Sequence, residues 1–278
     1  MPQPVAIVTG ASAGIGFAAA RALAGHGFAV YAGARRLDRM APLREAGVEV
    51  FRLDVTDGAS MRAAVERVLA ERGRIDVLVN NAGYGSYGAL EEVDPAEARR
   101  QFDVNVFGLA RMTQLVLPAM RQAGRGRIIN VSSIGGKYYE PMGAWYHASK
   151  FAVEGLSDSL RLELKPLGIS VSIIEPASTL TEWGRIAAQG LEAVSGSGPY
   201  AAHARLMSGA LKSTGRPATS TPPEVIAQAI LQAATAARPR PRYPVGGGAR
   251  TILALRRILP DRLYDAAVMA VLRRVSAG

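Results

Sequence analysis

The sequence predicts an α/β fold built on a doubly wound parallel sheet. Three observations carry that expectation. Short β-branched runs alternate with segments of helical periodicity over most of the chain. The runs are almost continuously apolar, as strands covered on both faces must be. The first of them leads directly into a glycine-rich turn and then a helical segment. Right-handed crossovers then set the strands side by side, with a ligand crevice at their carboxyl ends.

In chain order, VAIVT (5–9) opens the sheet, and TGASAGIG (9–16) turns it into a helix expected over 14–25. FAVYAG (28–33) and VEVFRL (48–53) follow, then a helix over 57–72, the strand IDVLVN (75–80) and a long helical stretch over 95–123. RIINVS (127–132), a helix over 145–166 and ISVSIIE (169–175) continue the alternation, and RYPV near 242 adds a brief last strand. Residues 177–222 hold Gly190, Gly196, Gly198, Gly209, Gly215 and several prolines, a composition suited to short helices on a long loop over the crevice. TILALRRILPDRLYDAAVMAVLRR (251–274) reads as two apolar-periodic segments broken by Pro260. The expected organisation is one domain over 1–248, including the loop 177–222, and a helical extension over 249–278.

The chain has 278 residues, 49% hydrophobic and 20% charged, which is ordinary globular composition. Its net charge of +10 raises the question of nucleic acid, but the arginines are dispersed, no block of five or six occurs and aromatics are few. Nucleic-acid binding is therefore not expected. There is no cysteine, and His26, His147 and His203 are scattered, so no metal site is expected. Residues 2–20 carry no charge yet are rich in Gly, Ser and Thr without a basic leader, and read as strand, turn and helix rather than a signal. The expected location is cytoplasmic.

Two segments carry cofactor chemistry. In TGASAGIG, Gly10, Gly14 and Gly16 let backbone approach a pyrophosphate, and the free N–H groups and positive end of the following helix favour the anion; Ser12 and Ile15 of the same loop are expected to bind the cofactor, with Ser12 a helper at a 2′-phosphate. The strand before and the helix after supply the context such a motif needs in a Rossmann fold. At the end of the second strand stands YAGARRLD, with Ala34 where an acid for ribose hydroxyls would fall and Arg35 and Arg36 next to it. A guanidinium pairs with a 2′-phosphate that a carboxylate would repel, so NADP(H) is preferred. Asp38 leaves NAD(H) open.

WYHASKFAVEG (145–155) puts Tyr146 four places before Lys150. On a helix these share a face, with Cβ atoms about 5–6 Å apart. A cation that close lowers a phenol by about 1–3 pKa units, so Lys150 is expected to acidify Tyr146.

TGASAGIG, Asp54, NNAG (80–83), FDVNVFG (102–108), NVSS (130–133) and YHASK (146–150) occur in this order. Together they resemble the short-chain dehydrogenase/reductase family over about residues 5–185. The resemblance implies that Asp54 and Val55 meet the adenine, and that Asn81, Ala82 and Gly83 run along the ribose. It implies a catalytic group of Asn105, Ser133, Tyr146 and Lys150, with Ser133 chosen over Ser132 because it lies thirteen residues before Tyr146. In that scheme Tyr146 is general acid/base, Ser133 stabilises the substrate oxygen, Lys150 holds the ribose hydroxyls, and Asn105 binds a water that feeds protons through Lys150. The family's Pro-Gly after the sixth strand is Pro176-Ala177 here, with Thr179 and Thr181 available to the carboxamide or a phosphate.

The implied function is an NADP(H)-dependent oxidoreductase, of carbonyl reductase or alcohol dehydrogenase type, acting on a hydrophobic ketone, aldehyde or alcohol. Tyr84, Tyr87, Ile134, Tyr138, Tyr139, Met142, Trp145 and Trp183 lie near the crevice motifs and suit such a substrate. The competing reading is a non-catalytic NADP(H)-binding regulatory or scaffold protein. The resemblance further suggests a homodimer or homotetramer through 95–123 and 145–166. For the extension, closure over the substrate loop ranks first, a subunit interface second and a membrane surface third.

Overall fold

The computed structural model describes residues 2–276; Met1 and the last two residues of the expected extension lie outside them. Seven strands form one parallel sheet in the order β3-β2-β1-β4-β5-β6-β7. They are β1 (Val5–Thr9), β2 (Ala29–Ala34), β3 (Glu49–Arg52), β4 (Val77–Asn80), β5 (Gly126–Val131), β6 (Ile169–Pro176) and β7 (Arg242–Val245). Every pairing is parallel, from Val5 opposite Ala29 to Pro176 opposite Val245.

Strand alternation sends side chains to two apolar layers. Ala6 and Val8 meet α1 (Gly14–Gly25) and α9 (Pro223–Thr235) on one face. Val5 and Ile7 pack on the other face with α3 (Gly58–Arg72) and α5 (Leu109–Gln122), and Leu160 and Leu164 of α6 (Ala144–Leu164) join them. A fully buried Ile or Val in such a layer contributes about 1.5–3 kcal/mol. A short helix, α2 (Ala41–Glu45), precedes β3.

The stretch expected as one helix over 95–123 is broken. α4 (Pro95–Phe102), started by Pro95 with the Asp94 side chain accepting from Ala96 N at 2.7 Å, passes into a π-helical turn over Asp103–Gly108 before α5 begins. The wider turn brings Asn105 inside, where it is 1% exposed.

Between β6 and α9 the chain forms α7 (Trp183–Ser195) and α8 (Ala201–Ser213). α10 (Ala249–Ile258) and α11 (Asp261–Ser276) make up the extension, separated at Leu259–Pro260. α11 lies on α8: Val268, Met269 and Leu272 join Leu191, Met207, Leu211 and Tyr146 in one apolar cluster. Among the described residues, no helix is long and apolar enough to cross a membrane.

Candidate active site

The strand order reverses between β1 and β4, and the diverging loops open a crevice there. Asn81 braces its floor. Its Nδ2 donates to the carbonyls of Thr9 at 3.0 Å and Gly10 at 3.2 Å, and the N–H groups of Asn81 and Ala82 each donate to Thr9 Oγ1 at 3.0 Å. Gly10 has φ +69°, and a Cβ there would stand 2.7 Å from Ala82 Cα. A Cβ on Gly16 would stand 2.3 Å from Asn81 Nδ2. The two glycines therefore allow the turn after β1 to touch the loop after β4, besides leaving backbone open to an anion.

The resulting cleft has a volume of about 660 Å³. Gly10, Ser12, Gly14, Ile15, Arg35, Arg36, Asp54, Val55, Asn81, Ala82 and Gly83 line one part, and Ser133, Tyr146, Lys150, Pro176, Thr179 and Thr181 line the other. Two of the expected residues stand behind its wall. Gly16 lies under the turn, and Asn105 holds the backbone of Tyr84, accepting from its N–H at 3.0 Å and donating to its carbonyl at 2.9 Å. The second Nδ2 proton of Asn105 goes to Ser149 Oγ at 3.0 Å. With both amide protons committed, the side chain positions the Tyr84 loop.

At the dinucleotide end, burial opposes ionisation of Asp54, but the N–H and hydroxyl of Thr56, with Arg35 and Arg52, outweigh it and hold the carboxyl below the usual range. Arg36 donates to Ser12 Oγ at 3.3 Å, linking the glycine turn to the loop after β2. It also faces Glu182 at 3.3 Å, as Arg39 does at 2.9 Å. Arg35 is exposed and makes no hydrogen bond among the described residues.

At the other end Ser133 follows β5 and Tyr146 and Lys150 come from the first two turns of α6. Burial pushes the Tyr146 phenol up to about 12, Glu140 adds to the rise, and a hydrogen bond with Ser133 opposes it. Lys150 is not among the groups that lower it. The expected acidification is thus not what this site contains: the Lys150 ammonium donates to the Val131 carbonyl at 3.1 Å, and burial lowers it to about 8 against the pull of Glu154. Burial dominates both groups, so each is held closer to its neutral form. Gly83 lies between the two supporting side chains, since a Cβ on it would be 3.2 Å from Asn105 Oδ1 and 3.6 Å from Lys150 Nζ.

The Pro176-Ala177 departure is absorbed by the sheet: Ala177 N donates to Val245 O at 2.8 Å, extending the β6–β7 pairing by one residue. Thr179 Oγ1 turns back to Ala177 O at 3.0 Å, and Thr181 approaches Gly14, where a Cβ would meet its Cγ2 at 2.9 Å. Beyond Tyr146 the cleft is walled by Tyr87, Tyr138, Ile134, Trp183 and Met207. Tyr139 and Trp145 are elsewhere, contrary to expectation. Tyr139 stacks edge-on with Tyr264 at 5.1 Å and Trp145 with Phe102 at 6.2 Å.

A family model described as short chain dehydrogenase matches residues 4–190. The chain belongs to the short-chain dehydrogenase family. This family of oxidoreductases includes a Bacteroides thetaiotaomicron protein named 3-ketodihydrosphingosine reductase, to which the chain is 45% identical over 177 residues. That match spans 63% of this chain and 64% of the relative, less than two thirds of its length. A short-chain dehydrogenase from Streptomyces avermitilis superposes with a TM-score of 0.80 at 33% identity, covering 100% of this chain and 98% of that one. Similar structures hold either form of the cofactor. A Burkholderia phymatum short-chain dehydrogenase/reductase in complex with NAD has TM-score 0.77 and 28% identity, covering 92% of each chain. A Thermococcus sibiricus alcohol dehydrogenase complexed with 5-hydroxy-NADP has TM-score 0.70 and 28% identity, covering 88% and 96%.

The residues of this short-chain dehydrogenase fit a nicotinamide dinucleotide: glycine turn, ionised Asp54 and cationic Arg35 line one continuous groove that ends at Tyr146. Two charged groups of the site went unread in the sequence. Glu182, in EPASTLTEW, ties the loop before α7 to Arg36 and Arg39. Glu140 stands inside the aromatic pocket. For neither does sequence spacing give a signal, because both act through contacts made across the fold.

Proposed function

We propose that this short-chain dehydrogenase is an NADP(H)-dependent ketoreductase that interconverts a hydrophobic ketone or aldehyde and its alcohol. The observation that carries the reading is the buried Tyr146 phenol, lining the cleft with Ser133 where the dinucleotide groove meets an aromatic pocket. A bound nicotinamide cofactor supplies or accepts the hydride. Tyr146, neutral well above pH 7, gives its phenolic proton to the carbonyl oxygen in the reductive direction, completing the alcohol and leaving a phenolate. Ser133 donates to the same oxygen as charge builds on it. Lys150, titrating near about 8, returns the proton to Tyr146 from the solvent side. Asn105 keeps the Tyr84 loop and the Ser149 side of α6 in place.

Reduction of a ketone is supported by the name of the Bacteroides relative, and an apolar substrate by the Tyr87, Trp183 and Met207 walls. Preference for NADP(H) is supported by Arg35, which is exposed and makes no hydrogen bond among the described residues, and by Ala34 in place of an acid. A homodimer or homotetramer through 95–123 and 145–166 belongs to the same reading, supported by exposed Phe107, Phe151 and Leu162. The test is a panel of apolar ketones and alcohols assayed with both phosphorylation states of the cofactor. Wild type is expected to favour NADPH, and Arg35→Asp to lose about 10- to 100-fold in kcat/KM for it. Equal use of both cofactors by wild type would remove the NADP assignment.

A further inference from the structure

The apolar pocket beyond Tyr146 contains one carboxylate. Glu140 sits on the loop between β5 and α6, its side chain 17% exposed, and lines the cleft beside Tyr87, Tyr138 and Tyr146. Its Oε1 accepts from the Tyr87 hydroxyl at 3.3 Å, and Tyr138 lines the same cleft. Neutral hydroxyls are weak compensation for a charge withdrawn from water.

No cation answers it among the described residues. The basic side chain nearest to it is His147, with Nε2 at 3.9 Å, and that ring is already used. Its Nδ1 lies 2.9 Å from the Gly135 carbonyl and its Nε2 accepts from Glu140 N at 3.3 Å, while burial lowers its affinity for a second proton. Lys137 turns to Glu154 and Glu175, Lys150 to Val131, and Arg256 stacks on Tyr139 and Tyr264. Around Glu140 the walls are aromatic: Tyr87 is 5.5 Å from Tyr146 and 6.0 Å from Trp183, and Tyr146 is 5.2 Å from Trp183, centroid to centroid. Ring faces carry partial negative charge, so carboxylate and rings together form a setting for an organic cation.

We propose that Glu140 and the surrounding rings form a subsite for a protonated amine, so that the apolar ketone reduced at Tyr146 is an amino ketone. This rests on the ketoreductase reading for the reaction, though not for the binding. Pairing with the substrate ammonium would also neutralise the negative charge that raises Tyr146. The carboxyl titrates at about 7, its hydrogen bonds from Tyr87 and Tyr138 only partly offsetting burial. The groups facing it are Tyr87 from the loop after β4, Tyr138 on its own loop, Tyr146 and His147 on α6 and Tyr264 on α11. The tyrosines titrate well above neutrality and His147 below its ordinary value. Lys150, at about 8, lines the same cleft.

The test is calorimetric titration of the full chain with octylammonium and with 1-octanol, which needs no turnover and so stands apart from any failure of the ketoreductase assay. Wild type is expected to bind octylammonium about tenfold tighter than octanol near pH 8, and to lose most of that preference near pH 6, where the carboxyl is protonated. Glu140→Gln is expected to bind the two alike at both pH values. The proposal is overturned if wild type shows no preference, if octylammonium fails to bind, or if the preference or its pH dependence persists in Glu140→Gln, which would assign it to Lys150. Where Glu140→Gln does not fold, Lys150→Met separates the two titrations: the wild-type preference and its pH dependence are expected to persist in that variant, and their loss there overturns the proposal.

Discussion

Lys150 and Tyr146 lie one helical turn apart on α6, yet the Lys150 ammonium donates to Val131 O at 3.1 Å and burial pushes the phenol up to about 12. In the proposed reaction the pair divides the proton work: Tyr146, at about 12, holds its proton until it gives it to the substrate, and Lys150, at about 8, is the group that titrates near working pH. A rate profile follows. Lys150 is depressed from its ordinary value, so it carries its proton below about 8 and loses it above. The kcat for ketone reduction, measured from about pH 6 to 10, should be level at the acid end and fall as pH rises through about 8. A profile that stays level to about pH 10 would assign proton supply to another group.

The contact between the turn after β1 and the Asn81 loop makes a stability prediction. A Cβ at Gly16 meets Asn81 Nδ2 at 2.3 Å and Gly10 O at 2.6 Å, and the latter is backbone. Gly16→Ala should cost about 1–3 kcal/mol in urea unfolding and weaken NADPH binding, because the cradle must spread. Gly25 is the control: a Cβ there meets nothing within 4 Å and its φ is not positive, so Gly25→Ala should be neutral or slightly stabilising. Equal effects at the two positions would contradict the close-approach account.

How far the sequence could be read depends on the range of the physics involved. The seven strands and the parallel sheet were legible because continuous apolar runs and the glycine turn are local signals. Helix α9 was not read, since Pro222 and Pro223 suggested loop although Pro223 is a first-turn residue that starts it. The π turn at Asp103–Gly108 has no periodic signature and only the structure reveals that it buries Asn105. Tyr146 and Lys150 were read correctly as sharing a helix face. Their electrostatics were not, because desolvation depends on what Trp183, Tyr87 and α8 place around them, all distant in sequence. Glu140 and Glu182 were missed for the same reason.

Glu140 also sets a pH dependence of stability. Its folded value, about 7, lies above the ordinary carboxyl value of 4.5, so the protonated form is the one the fold favours. That contribution is complete below about 4.5 and is lost as pH rises through about 7. Gln resembles the protonated acid. Glu140→Gln should therefore leave stability unchanged near pH 4.5 and raise it by roughly 2–3 kcal/mol near pH 8, read as a Tm increase that grows with pH. A variant less stable than wild type near pH 8 would mean that the carboxylate has a cationic partner within the protein.

The central claim is that the Tyr146 hydroxyl delivers the proton. The most direct measurement compares Tyr146→Phe with wild type in ketone-dependent NADPH oxidation, with NADPH affinity followed by fluorescence on the same samples. The account predicts a fall in kcat of about 10²–10⁴-fold or more with NADPH affinity changed by no more than a few-fold. A variant that binds NADPH normally and keeps most of its rate would contradict it.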